Sequence, residues 1–309
     1  MSDFKIIEVT NNDGSKAVSL KGDWSAEIVE ALKSLDFSEL NFVGFDLPDF
    51  LGFSSISKNI SRLAISGVDG KSHGLENFTE IRSLLLDEPI KPAFDISCYK
   101  KLEEATLTWN KKYPADFFKL PRLRKLKLRH FDEVDCVVIG ESSSIEELSV
   151  LESKIHKLDG LQNIRSLKKL IVAYARNLED ITALSGLGSL ESLHIESCSK
   201  ISDLSSIIKL KGLKKLHVEK VKASFDNLDW VGDLSDLSYV YNEAEVVDIN
   251  WYNVFANKTI REFTTRTHEG YTITDDELVS IASQAGRMIK VIERYPPKKK
   301  PMITVEFDN

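Results

Sequence analysis

Apolar residues recur along most of the chain in one spacing: an apolar residue, two others, an apolar residue, one other, and a third apolar residue. The clear copies are Ile60-Leu63-Ile65, Ile81-Leu84-Leu86, Leu102-Ala105-Leu107, Leu123-Leu126-Leu128, Ile145-Leu148-Val150, Leu167-Leu170-Val172, Leu190-Leu193-Ile195 and Leu213-Leu216-Val218. Leu40-Val43-Phe45 is a degraded first copy, and Leu237-Val240-Asn242 and Ile260-Phe263-Thr265 are late copies with a polar third residue. The middle residues of successive copies are 20 to 24 positions apart. A period this regular predicts a solenoid of stacked units.

The central copies share a longer signature, which in one unit runs Leu161, Ile164, Leu167, Leu170, Val172, Leu178, Ile181 and Leu184. This pattern resembles the leucine-rich-repeat family, in particular the internalin-like subtype with repeats of about 22 residues. The resemblance implies an α/β solenoid, a leucine-rich-repeat horseshoe with about 11 parallel strands on its concave face and with capped ends. The family also places Asn, Cys or Thr five residues after the middle leucine. Only Asn110, Cys198 and Ser153 fit that position, so no continuous asparagine ladder is expected.

Three regions follow from the limits of the pattern: an N-terminal cap at residues 1–37, repeats at 38–272 and a C-terminal cap at 273–309. The first cap reads as a hairpin (residues 5–9 and 17–20) followed by a short helix at 25–35. In the last cap, Thr274 and Glu277 form a capping box, and the helix that follows is expected to extend its apolar stripe to Ile289 and Ile292. Residues 298–300 are lysines that form a solvated linker or a nuclear-localisation signal, and residues 302–307 alternate like an edge strand.

Composition narrows the function classes. The chain of 309 residues is 42% hydrophobic and 29% charged, without an apolar run long enough to span a bilayer or a recognisable secretory signal, so a cytoplasmic protein is expected. Cys98, Cys136 and Cys198 form no CxxC pair and are expected to be reduced thiols. The net charge of -7 disfavours nucleic acid and favours a basic protein as partner. The free protein is expected to be a monomer without a cofactor.

Strand alternation predicts which residues lie on the concave face. The residues just before, between and after the buried leucines should point there, and equivalent residues of neighbouring strands should stack about 4.8 Å apart. Glu104, Lys125, Glu147 and Lys169 then form a ladder of opposite charges. The candidate partner-binding residues are His194, Glu196, Lys215, His217, Glu219, Tyr239, Tyr241 and Glu243, together with Lys125, Lys127 and Arg129.

The acidic residues Glu196, Glu219 and Glu243 should form an uninterrupted row. Repulsion between these stacked carboxylates lowers the stability of the fold unless cations lie beside them. Arg266 and Lys215 of the same chain could supply this positive charge, or a cationic partner could supply it. The neighbouring tyrosines favour a partner, because tyrosine is enriched at interface hot spots. The basic strand with Lys125, Lys127 and Arg129 is either a second interface or a solvated face.

These features favour a non-enzymatic scaffold that binds a partner protein on its concave face, for example a bacterial immunity protein that inhibits a toxin. The alternative is a leucine-rich-repeat effector that acts on a host protein. A metal-dependent enzyme is less favoured: His194, Glu196, His217 and Glu219 are suitable zinc ligands, but they lie on an open sheet without visible supporting groups, so no metal is expected. The sequence contains no HExxH, GxxxxGKS or GxSxG motif.

Overall fold

The computed structural model describes residues 4–89, 93–268, 270–295 and 301–307. It divides the chain into two compact units. The first unit contains the described residues up to Asp132 together with Ser142–Ile145, and the second contains Glu133–Glu141 and the described residues from Glu146 onward. The lysine run at 298–300 lies outside the described residues.

The first unit is built on a sheet with the strand order β1-β2-β3-β4-β6-β7-β8, in which β1 and β2 are antiparallel, the later pairs are parallel, and β5 pairs with β3. These strands are β1 (Phe4–Thr10), β2 (Lys16–Asp23), β3 (Glu39–Asp49), β4 (Arg62–Ser66), β5 (Asp69–Lys71), β6 (Ser83–Leu86), β7 (Glu104–Thr108) and β8 (Lys125–Arg129). Helix α1 (Ala26–Lys33) follows β2. The return segments contain short 3-10 helices at Leu51–Phe53, Ser57–Asn59, Leu75–Asn77, Ile96–Cys98 and Ala115–Lys119.

The second unit continues the same plan, with the strand order β9-β10-β11-β12-β14-β16-β18-β17 and a separate pair β13-β15. The strands are β9 (Glu147–Leu151), β10 (Lys169–Ala173), β11 (Ser192–Glu196), β12 (Lys215–Glu219), β13 (Ser224–Phe225), β14 (Tyr239–Asn242), β15 (Glu245–Val246), β16 (Glu262–Arg266), β17 (Ile289–Tyr295) and β18 (Met302–Phe307). The helices are α2 (Trp230–Asp233), α3 (Trp251–Ala256) and α4 (Asp275–Gln284), with 3-10 helices at Ile139–Glu141, Leu161–Asn163, Thr182–Gly186 and Ile207–Lys209. The pairs from β9 to β16 are parallel, and β18 is antiparallel to both of its neighbours.

The repeat strands from β4 to β12 bury the second and third apolar residues of their pattern and leave most of the alternate side chains on the open face. In β12, for example, Leu216 and Val218 are fully buried, whereas Lys215, His217 and Glu219 are not. In β16 the alternate residue Thr264 is buried as well. Burying one leucine-sized side chain contributes roughly 1.5–3 kcal/mol, so the pattern fixes which face of each strand is the core. The leucine-rich repeats therefore form as the spacing predicts.

A turn residue with a left-handed backbone follows directly after five successive repeat strands, and none of the five is glycine. These residues are His130, Glu152, Tyr174, Ser197 and Lys220, with φ between 51° and 58°. This conformation costs a non-glycine residue roughly 1–2 kcal/mol. In the second unit the same turns donate hydrogen bonds to the next coil, as from the Tyr174 amide to the Glu196 carbonyl at 2.9 Å. The turns thus link neighbouring coils at the end of each strand.

The alignment expected for the first repeat copy is wrong. Leu40, not Val43, pairs with Leu63, and Val43 is 37% exposed. Gly44 has a φ of +55°, which interrupts the alternation of side chains, so the buried phenylalanines of β3 fall at positions 42 and 45.

The C-terminal segment also differs from its sequence-based interpretation. Helix α4 ends at Gln284, a left-handed Gly286 (φ +67°) follows, and Ile289 and Ile292 lie in β17 rather than on a helical stripe. Residues 302–307 form β18, which lies between β16 and β17 and is therefore not the edge strand. Its nearly continuous burial is typical of an internal strand. The cap boundaries at residues 37 and 272 stay a prediction.

Cysteine burial and the sparse polar ladder follow from the same packing. All three cysteines are free thiols; Cys136 and Cys198 are buried and Cys98 is partly exposed. The Cys198 thiol lies 3.8 Å from the Val172 carbonyl of the preceding coil, and burial raises its pKa to about 11. Ser153 Oγ is buried without a hydrogen-bond partner among the described atoms. These positions do not form a continuous ladder.

Candidate partner-binding surface

Strands β11, β12 and β14 bring three aromatic rings into one stack on the open face of the second unit. His194 lies opposite His217, and His217 lies opposite Tyr241 in the strand register. The centroids of the two imidazoles are 4.1 Å apart, and those of His217 and Tyr241 are 4.5 Å apart with an interplanar angle of 18°. Because the strands are parallel and in register, equivalent repeat positions supply the rings.

A glutamate follows each ring at the second position along the chain, so it lies on the same face of its strand. We call these six residues the ring–glutamate row: His194, Glu196, His217, Glu219, Tyr241 and Glu243. The Nε2 atom of His217 is 3.2 Å from Oε2 of Glu219. The Tyr241 hydroxyl donates to Oε1 of Glu243, also at 3.2 Å.

The first pair of the row is looser. His194 Nε2 is 3.5 Å from Oε2 of Glu196 and is a buried atom without a geometrically acceptable hydrogen bond among the described residues. The side chains of His194 and Glu196 retain 31% and 20% of their exposure. The side chains of this pair are therefore only partly exposed, and the His194 Nε2 atom itself is buried.

Two residues that the sequence interpretation missed complete the row: Tyr174 and Lys220. The Tyr174 hydroxyl donates to Oε1 of Glu196 at 2.9 Å, and the Lys220 ammonium group donates to Glu219. Both are left-handed turn residues placed just after a strand, where simple alternation no longer predicts side-chain direction. The one feature of the sequence that marks these two residues is that each comes directly after a strand pattern.

Neither of the two cations of this chain that were considered as partners of the acidic row contacts it. Arg266 lies 3.7 Å from Glu245, outside the row, and Lys215 has no ion pair within the described part of the chain. Lys220, which was not anticipated, contacts the row at Glu219.

The surroundings shift the pKa values of three groups in the row. Burial, aided by the neighbouring His217, lowers the pKa of His194, so this imidazole is uncharged at neutral pH. The hydrogen bond from Lys220 lowers the pKa of Glu219, which stays ionised. Burial and the Glu243 carboxylate raise the pKa of Tyr241 to about 12. At neutral pH the row therefore joins a phenol and an uncharged imidazole to carboxylate charge.

The histidines and glutamates do not converge as metal ligands. The 3.5 Å and 3.2 Å contacts each join a histidine to the glutamate of its own strand, an arrangement of acid–base pairs. Across the described ranges, no group of three or more His, Cys, Asp and Glu side chains is placed to hold a metal ion. The ligand types that suggested zinc are present without the geometry it requires.

The other candidate residues are not members of the row. Lys215 and Tyr239 are register partners at the starts of β12 and β14. In the first unit, Lys125 Nζ donates to Glu104 Oε1 at 2.7 Å, and Arg129 lies 3.7 Å from Asp87. Lys127 sits between them on the open face of β8.

The predicted ladder of opposite charges is present within each unit. Besides the Lys125–Glu104 contact, Lys169 Nζ in the second unit lies 3.8 Å from Glu147 Oε2. Two cations of the basic strand are thus already paired with acids of their own unit, which makes this strand a weaker binding candidate than the ring–glutamate row.

No helix among the described residues has the length and apolar character needed to cross a membrane. The sequence matches no family model, and no curated protein matches it significantly. Solved structures do match. An internalin, InlF, from Listeria monocytogenes superposes with a TM-score of 0.55 at 17% identity, covering 86% of this chain and 84% of that chain. TLR13 in its complex with ssRNA13 has a TM-score of 0.52 at 17% identity, covering 83% of this chain and 47% of that chain. The chain therefore has the internalin-like leucine-rich-repeat solenoid fold.

Proposed function

We propose that this chain is a non-enzymatic scaffold that binds a partner protein through the ring–glutamate row. One observation carries the proposal: three stacked rings and three carboxylates lie side by side on an open sheet face. The Lys220 ammonium group contacts Glu219, whereas the side-chain contacts of Glu196 are the Tyr174 hydroxyl and the His194 ring. Partly exposed aromatic rings beside a row of carboxylates have the composition of an interface hot spot.

The partner that fits this surface is a basic protein. Its lysine or arginine side chains would bond to Glu196, and a guanidinium group could lie against the partly exposed ring of Tyr241. The net charge of -7 would speed the approach of such a partner.

The biological version that we favour is a bacterial, cytoplasmic immunity protein that occludes a basic toxin domain. Its support is the acidic charge and the fold shared with a bacterial internalin. The alternative is an effector that acts on a host protein. Both versions use the same surface and differ in the source of the partner.

Two other functions fit less well. The TLR13 structure is a complex with single-stranded RNA, so this fold can hold nucleic acid. Here the carboxylates of Glu196, Glu219 and Glu243 would repel phosphates. A metal-dependent hydrolase would need convergent ligands, whereas the histidines contact the glutamates of their own strands.

The test is capture of a partner from native lysate, followed by titration of the purified pair. The row variant combines Glu196→Lys, Glu219→Lys and Tyr241→Ala. A control variant, Asp226→Lys with Asp248→Lys, makes the same change in net charge at exposed residues of the second unit. Both must keep the far-UV circular dichroism of the wild type.

We expect one stoichiometric partner to bind the wild type and the control. Its affinity for the row variant should be at least two orders of magnitude lower, because disruption of a hot spot commonly removes about 3 kcal/mol of binding free energy. Equal binding by the row variant would contradict the proposed surface. Turnover of a substrate by the wild type would contradict a purely binding role.

A further inference from the structure

The second unit also has an open depression where strands β12, β14 and β16 begin, with a volume of about 1110 Å³. Five cationic side chains line it, against the carboxylates of Asp236 and Glu262. We call these five cations the basic pocket: Lys214, Lys215, Lys258, Arg261 and Arg287. The lining is thus positive in a chain whose net charge is -7. Such local excess of one charge attracts ligands of the opposite sign.

Two of these cations are held in place by neutral groups. Lys258 Nζ donates to the carbonyls of Ala285 and Gly286 at the end of α4. Arg287 donates to the carbonyls of Asn257 at 2.7 Å and Ile260 at 2.6 Å. Because a carbonyl carries no net charge, these bonds fix the cations without neutralising them.

The other three cations differ in how they are paired. Lys214 Nζ lies 3.0 Å from Glu191 Oε2. Lys215 and Arg261 have no ion pair or side-chain hydrogen bond within the described residues. Burial and the nearby Glu306 and Glu293 carboxylates raise the pKa of Glu262. Lys215 and Arg261 are therefore available to a ligand.

The arrangement suits an extended acidic chain better than one compact phosphate. Both terminal nitrogens of Arg287 already donate to backbone carbonyls, which leaves fewer of its N–H groups for a phosphate. Lys215 begins β12 and Arg261 directly precedes β16, which lies two strand positions away, so their backbones are about 10 Å apart. An extended peptide rises about 3.3 Å per residue and directs every second side chain to one face. Carboxylates two or four residues apart, about 6.6 or 13 Å, bracket this separation, and the long side chains of Lys215 and Arg261 could reach them.

Apolar surface lies between the cations. Met288, which is 73% exposed, and the partly exposed Tyr239 both line the depression. We propose that the basic pocket binds an acidic segment of a partner protein, in which carboxylates alternate with apolar side chains. This inference rests on the proposed function, since both treat the chain as a protein-binding scaffold, but it uses a different set of residues.

The experiment measures fluorescence anisotropy of a short labelled peptide in which glutamate alternates with leucine. The pocket variant is Lys215→Glu with Arg261→Glu, and a milder version changes the same residues to Gln. The matched control is Lys154→Glu with Lys200→Glu, two exposed lysines of the second unit. A peptide with glutamine in place of glutamate, inorganic pyrophosphate and a single-stranded oligoadenylate RNA serve as competing ligands.

We expect saturable binding of the acidic peptide by wild type and control, with affinity reduced roughly tenfold or more in the Glu variant and less in the Gln variant. Salt should weaken the binding, and the glutamine peptide should not bind. Absence of peptide binding by the folded wild type, equal binding by the pocket variant, or tighter binding of RNA or pyrophosphate would overturn the inference.

The row variant separates this result from the proposed function. It leaves the pocket residues intact, so it should keep peptide affinity while losing the captured partner. Failure of peptide binding with a row-dependent partner would reject the pocket alone. Peptide binding with a partner insensitive to the row would reject the row alone.

Discussion

Neutralising one end of the acidic row should make the free protein more stable, which is unusual for removal of a native charge. Glu196 lies next to Glu219 in register, and its own contacts are the Tyr174 hydroxyl and the His194 ring. The change Glu196→Gln keeps an oxygen that can accept from Tyr174 but removes the like-charge interaction with Glu219.

The magnitude follows from the strand spacing. Two like charges about 4.8 Å apart repel by roughly 1 kcal/mol at the dielectric constant of water and by more in a less polar surrounding. Lys220 contacts Glu219 and offsets part of the repulsion, whereas the 20% residual exposure of Glu196 limits screening by water. We expect Glu196→Gln to raise the free energy of unfolding by about 0.5–1 kcal/mol.

A matched control predicts the opposite sign. Glu147 occupies the ladder of opposite charges, with its carboxylate 3.8 Å from Lys169 Nζ. Glu147→Gln makes the same chemical change but removes an attraction between well-exposed groups, so it should lower the free energy of unfolding by about 0.5 kcal/mol or less.

The assay is urea denaturation followed by circular dichroism, at neutral pH and low salt, and again in about 1 M salt, where the Debye length is about 3 Å. Both effects should shrink at high salt. If Glu196→Gln lowers stability at low salt, the row is already satisfied by its own contacts. The argument that it awaits a cationic partner would then fail.

Three further changes test other parts of the structure. Asn242→Leu should lower the free energy of unfolding by about 2–4 kcal/mol in urea titrations, because the buried amide bonds both backbone groups of Ala244 and leucine would leave them unpaired; an unchanged midpoint would contradict this. The lowered pKa of His194 means that the unfolded chain binds more protons as pH falls below 6.5, so this histidine should reduce stability on acidification. In the His194→Gln variant, the denaturation midpoint should therefore decrease less steeply as the pH falls below 6.5. A decrease as steep as that of the wild type would refute the lowered pKa of His194. Gly160→Ala should cost about 3 kcal/mol or more in thermal denaturation, because φ is +102° and the new Cβ would lie 2.5 Å from backbone of the neighbouring coil. Gly188→Ala, at a position with open space, should change little.

The sequence alone was enough to predict the repeats and the phase of each central strand. The leucine spacing is a local signal that recurs in every coil, and burial of one face is the largest energetic term that a strand can respond to. That is why His194, His217 and Tyr241 could be placed in one column before any contact was known. The first copy failed because Gly44 interrupts alternation, which no count of apolar residues reveals.

Only the tertiary structure decided how that column is completed. Lys220 and Tyr174 reach the glutamates from left-handed turns, and a positive φ at a non-glycine residue leaves no mark in the hydrophobic pattern. The sequence interpretation chose Arg266 and Lys215 instead, since it extended strand alternation to cations without knowing where each side chain finds its acid.

The C-terminal part of the chain depended most on tertiary contacts. Placement of β18 between β16 and β17 requires an antiparallel pairing that is absent from the repeat rule. The basic pocket needs Lys258 and Arg287, which follow α3 and α4 in the sequence and meet Lys215 only through the fold. Periodic spacing determines what each strand buries, because that depends on near neighbours in the chain. Where non-periodic segments meet depends on chain reversal and register, and these are settled by packing between residues far apart in sequence.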